Sequence, residues 1–139
     1  MKAGRGEEAS AKQPQARCFI DLDWYQRNNR SFSSLAQNHI CPKCTEKFSA
    51  VEKEISAEKL LSAIGDCCSH TPGFITEKTP ILKSLFLLFL ANGNQPLDLE
   101  ELGSQLSEWR GGDAYRTSPE ILPRLLNNDD YYGLRMVED

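Results

Sequence analysis

In the second half of the chain, apolar residues recur at intervals of three and four. Ile81, Leu82, Leu85, Phe86, Leu88, Phe89 and Leu90 cover nearly a whole helical circumference, which predicts a central helix buried on all sides. Thr79 and Pro80 supply a cap and a favourable first-turn proline, and "ANGNQP" ends the pattern. Asp98 and Glu101 have the spacing of a capping box ahead of Leu99, Leu102, Leu106 and Trp109, which mark one face of a second helix stopped by "GGD". Ser118 and Pro119 open a third segment with Ile121, Leu122, Leu125 and Leu126, and "YYGLRMV" reads as a short strand.

The first half is patterned more thinly. Residues 1–17 carry no apolar periodicity and read as a disordered tail. Ile20, Leu22 and Trp24 alternate with Asp21 and Asp23, the period of a strand with the two carboxylates on its solvated face. Ser31 is placed to cap a short helix from Phe32 to Asn38. Farther on, Ser49 precedes Glu52 by three residues, and Val51, Ile55, Leu60, Leu61 and Ile64 follow at helical spacing up to a stop at Gly65. "SHTPGFITEKT" reads as a loop and a domain boundary. The fold class is therefore α+β, mostly α. A small Cys-rich segment at 18–79 is followed by a helical module with a short strand at 80–139.

Chemistry enters with "ICPKCTEKF" and "IGDCCSHTPGF". Cys41 and Cys44 sit three apart, a spacing that aims both thiolates at one ion. Pro42 stiffens the turn and Lys43 offsets negative charge. After 22 intervening residues come Cys67, Cys68 and His70. Cys41, Cys44, Cys67 and His70 then form a C-x2-C…C-x2-H set for structural Zn2+, with Cys68 and Cys18 as alternate ligands. An iron–sulfur cluster is the rival, since the 5 cysteines can supply four thiolates. Plain burial of small hydrophobic thiols is the third reading. His39, two residues before Cys41, reads as a surface residue.

Neither a secretory leader nor an apolar run of membrane-spanning length occurs in the sequence, so the expected location is cytoplasmic, where thiols stay reduced. The net charge of −4 gives no general attraction to nucleic acid, and the acidic excess is concentrated in residues 80–139. Glycine-rich phosphate loops, G-x-S-x-G and paired-carboxylate constellations are missing, and the expectation is a binding protein rather than an enzyme.

"TPILKSLFLLFLANGN", "LDLEELGSQLSEW" and "SPEILPRLLNNDDYYGLR", in the order helix, helix, helix, strand, resemble the winged-helix members of the helix-turn-helix superfamily. The resemblance implies a third helix suited to the DNA major groove and a wing that touches the backbone. Arg124 is the basic residue of that third segment, beside Glu120, Asp129 and Asp130, a charge pattern that disfavours phosphate contact. The expected function is a zinc-stabilised interaction or adaptor module with a protein partner or a second copy of the chain. A winged-helix DNA-binding regulator, sensing metal or redox state, is the alternative.

Overall fold

The computed structural model describes residues 16–49, 55–111 and 121–138. The Ser49–Glu52 cap and the Ser118–Pro119 opening therefore involve positions outside the described residues. The chain runs β1 (Ala16–Ile20), α1 (Leu22–Arg27), α2 (Phe32–Gln37), α3 (Pro42–Ser49), α4 (Ala57–Asp66), α5 (Ile81–Ala91), β2 (Leu97–Asp98), α6 (Leu99–Trp109), α7 (Leu122–Asn127) and β3 (Leu134–Glu138). The class is mostly-α α+β.

Helix α5 is the axis of the core. Every residue from Ser84 to Leu90 is buried, as the all-round apolar pattern requires. Leu60 and Ile64 of α4, Leu102 and Leu106 of α6, and Leu122 and Leu126 of α7 belong to the same buried cluster. Edge-to-face rings extend it: Tyr25 lies 5.5 Å from Phe32, and Phe32 6.3 Å from Phe86. Tyr132 closes the series 5.0 Å from Phe86. This single core draws on both halves of the sequence.

The sheet has the order β2-β1-β3 and is antiparallel throughout. Cys18 pairs with Leu97 on one side and Met136 on the other, and Ile20 faces Leu134. Ala16 and Arg17, expected in a disordered tail, are thus part of a central strand. Where β2 stops, Asn94 takes over. Its side-chain oxygen accepts from Ile20 N–H at 2.8 Å and its amide donates to Ile20 C=O at 3.0 Å, imitating a neighbouring strand.

The strand expected over Ile20–Trp24 ends at Ile20. Asp21 instead caps α1 by accepting from Asp23 N–H at 3.1 Å, and a capped turn outcompetes a three-residue alternation. Arg27 and Arg135 bind the same Asp21 carboxylate at 3.1 and 3.0 Å. Burial raises its pKa, but these two guanidinium groups outweigh burial and hold it below the usual value. Elsewhere the caps fall as expected: Ser31 accepts from Ser34 N–H, and Asp98 from Glu101 N–H at 2.8 Å. At the start of α5, Pro80 occupies the N-cap position and no side chain caps the helix.

Gly65 lies inside α4 and does not stop it. Its reason is proximity: a Cβ there would stand 2.9 Å from the backbone carbonyl oxygen of Ala91 in α5. Alanine is the better helix former by about 1 kcal/mol, yet a backbone oxygen in a packed core cannot swing aside. We expect Gly65→Ala to destabilise by roughly 1–3 kcal/mol, the range of overpacked cores. A raised denaturation midpoint would show that α4 and α5 separate freely.

Candidate metal centre

The first cysteine pair is placed by the start of α3. Cys41 C=O accepts from Thr45 N–H at 2.9 Å and from Thr45 Oγ1 at 3.0 Å, which makes Cys41 the N-cap residue. Pro42 follows as the first helical residue, where its missing N–H costs nothing. Cys44 then stands in the third helical position, from which its backbone N–H favours the ionised form of the Cys41 thiol. The C-P-K-C sequence is a cap and first turn in which a thiol replaces the customary oxygen.

The second pair is placed by the end of α4. Ser56 caps that helix, accepting from Lys59 N–H at 3.3 Å, and Cys67 N–H still donates to Ala63 C=O. At Cys67 the backbone leaves the helix (φ −130, ψ −61), and a 3-10 turn runs from Cys68 to His70. This break turns two adjacent side chains toward one place. Cys41 N–H donates to Cys68 Sγ at 3.0 Å, and Cys41 Sγ lies 3.7 Å from Cys67 Sγ.

The thiols of Cys41, Cys44 and Cys68 all lie within 4.8 Å of one another, and Cys67 interacts with both Cys41 and Cys44. Four thiolates about 2.3 Å from one ion stand about 3.8 Å apart along each edge of a tetrahedron. The Cys41–Cys67 separation matches that edge. The backbone N–H of Cys41, donated to the Cys68 sulfur, is the kind of outer-shell bond such thiolates use. The cluster is of a size and chemistry that can hold a metal ion.

His70 is exposed at the end of the 3-10 turn. Neither it nor Cys67 is among the three ligand atoms that all lie within 4.8 Å of one another, but Cys67 alone of the two has its sulfur against that of Cys41. Cys18 lies fully buried in β1, where burial pushes its thiol up to about 12. His39 is half-buried with its ring 5.7 Å from Phe86, and burial, then the Lys83 charge, lowers its pKa. The structure thus brings Cys41, Cys44 and Cys68 together with Cys67 beside Cys41, and leaves His70, Cys18 and His39 outside.

No family model matches this chain, and no curated protein or solved structure matches it significantly. The chemistry of the site rests on its own geometry.

The electrostatics of the four thiols is uneven. Cys41 is lowered to about 6, chiefly by the Cys44 N–H and then by the Cys68 thiol. Burial pushes Cys44 up to about 11 and raises Cys68. Cys67 is raised mainly by its interaction with the Cys41 thiol. The protein alone thus favours negative charge on Cys41, and full deprotonation of the set calls for a cation, whose charge outweighs these local effects. Beside the cluster, a cleft of about 500 Å³ between α3 and α4 is lined by Lys43, Lys47, Lys59 and Phe48, with Cys44 and Cys67 on its wall.

A second feature lies around the α1–α2 turn and the approach to β3, where the aromatic residues near Trp24 are expected to serve a protein partner and the stacking with Tyr131 depends on a contact distant in sequence. The Arg30 guanidinium lies 5.3 Å from the Trp24 ring centre and 4.6 Å from that of Tyr131, and it donates to Asp130 C=O at 3.2 Å. Asp129 fixes this turn by accepting from the N–H groups of Tyr131, Tyr132 and Leu134. Tyr131 remains 47% exposed. Among the described residues no helix is long and apolar enough to cross a membrane.

Proposed function

We propose that the chain is a non-catalytic, zinc-stabilised protein-interaction module. The observation that carries this reading is the grouping of Cys41, Cys44 and Cys68, with Cys67 against Cys41, which joins the start of α3 to the end of α4. Four thiolates fill a tetrahedral Zn2+ site and leave no position open for a substrate, the pattern of a structural site. Such an ion contributes folding energy by tying the two helix ends together. The winged-helix-like reading of the second half rests on its element order, α5–β2–α6–α7–β3, in which β3 pairs with β1 from the first half.

The Trp24–Arg30–Tyr131 group supports protein binding. Tryptophan, arginine and tyrosine supply most anchor residues at interfaces, and here the cation–π stacking orders them in advance. The DNA-binding reading has less behind it: Arg124 is the basic residue of α7, close to Asp129 and Asp130.

Metal analysis of protein purified without added metal tests the proposal. The expected result is a colourless sample with zinc near one per chain. Iron with inorganic sulfide and a brown colour would replace zinc by a cluster, and a metal-free, fully folded chain would end the metal reading. Chelation of the zinc is expected to lower the melting temperature, since the ion stabilises only the folded state.

A further inference from the structure

The four thiols are not equivalent. Cys44 and Cys68 are buried, whereas Cys41 and Cys67 are half-buried. A separate cleft of about 350 Å³ reaches the cluster between Pro42, Lys43, His70, Thr71 and Pro72, and of the four cysteines it exposes Cys41 and Cys67. Their sulfurs are 3.7 Å apart, so closure to a disulfide of about 2.05 Å asks for a movement of under 2 Å. One sulfur sits on the cap of α3 and the other on the break after α4, neither inside a rigid helical turn.

We propose that Cys41 and Cys67 form a modification site for hydroperoxides, oxidised as a pair and releasing the metal when they join. This rests on the metal reading above for its consequence, but not for its chemistry. The Cys41 sulfur attacks one peroxide oxygen; the O–O bond breaks, Cys41 becomes a sulfenic acid, and the second oxygen leaves as water or an alcohol. The Cys67 sulfur then attacks Cys41, forming the S–S bond and expelling the sulfenic oxygen as water. The two thiols lose two electrons and two protons, and the peroxide is reduced. Cys44 and Cys68 alone are then left to hold an ion, half a structural tetrahedron.

Cys41–Cys44, Cys41–Cys68 and Cys44–Cys67 are the competing pairs, and Cys67–Cys68 would close a strained ring between neighbours. Each competing pair includes Cys44 or Cys68, the two buried thiols, whereas Cys41 and Cys67 are both half-buried with their sulfurs 3.7 Å apart.

The test treats the purified full-length chain with hydrogen peroxide under argon, with a chelating dye to follow metal release and peptide mapping to locate the disulfide. The expected result is a Cys41–Cys67 crosslink forming in step with metal release, one ion per crosslink, reversed by a dithiol reductant plus zinc. Cys67→Ser should stop at a sulfenic acid on Cys41, trapped by a dimedone probe. If that variant does not fold, mapping in the natural chain decides alone. A crosslink at any other pair of the four cysteines, or metal kept under excess peroxide, overturns the proposal. A chain carrying no metal would refute the zinc reading yet should still form the Cys41–Cys67 crosslink, so the two failures are distinct.

Discussion

Cys44→Ser is expected to lower stability by roughly 3–5 kcal/mol, a fraction of the ~10–16 kcal/mol that a structural zinc contributes. For a chain of this length that is a fall in melting temperature of about 10–20 °C. Cys18→Ser is the matched control. Cys18 is buried in β1 between Leu97 and Met136, with the backbone of Arg135 and Phe19 near enough to favour its ionised form, against the larger effect of burial. A serine hydroxyl there has the same backbone neighbours, so the loss should stay near 1–2 kcal/mol. Both variants share the same atom exchange, and only one sits in the cluster. Thermal melts of the two, read beside their zinc contents, separate ligand from core residue. Equal small losses with zinc retained in Cys44→Ser would remove the site at the start of α3.

Arg110→Met is expected to be as damaging, at about 3 kcal/mol, through loss of hydrogen bonds rather than of a metal. Arg110 ends α6 and is 2% exposed. Its guanidinium donates to the carbonyls of Thr76, Thr79 and Glu77 and to Ser84 Oγ. One side chain thereby holds the loop that leads from the cysteine turn into α5. Methionine fills much of the same volume but leaves those carbonyls unmet, at about 1–3 kcal/mol for each that water cannot reach. Urea denaturation should show the lower midpoint with an unchanged slope. A midpoint within about 0.5 kcal/mol of the natural chain, the range of ordinary surface substitutions, would show that water replaces the arginine.

Local signals were legible where the decisive contacts are close in sequence. Asp98 before Glu101, Ser31 before Ser34 and the all-round apolar run of α5 are settled within a few residues, and each forms as expected. What could not be read depends on distant partners. β1 exists because Leu97 and the 134–138 segment flank it, and the alternation after it yields to Asp21, whose capping role draws on Arg27 and Arg135. Gly65 resembled a helix stop because its true constraint, the Ala91 carbonyl, lies in another helix.

The candidate site was legible in the same proportion. The Cys41–Cys44 spacing announces itself, because cap and first turn are local. The company of Cys67 and Cys68 hangs on one non-helical residue, Cys67 at φ −130 and ψ −61. Without that break, neighbouring side chains on a helix point about 100° apart. A Cys-x2-His pair therefore looked the easier second half, while His70 in fact ends the turn facing solvent.

The central place of β1 in its sheet also bears on how the protein is made. Its longer neighbour lies more than a hundred residues downstream. At a translation rate of about 5–20 residues per second, the strand emerges roughly 6–24 s before that neighbour exists. During that interval the ladder groups of β1 on that side and the apolar side chains of Cys18 and Ile20 stay without the strand that covers them in the finished fold.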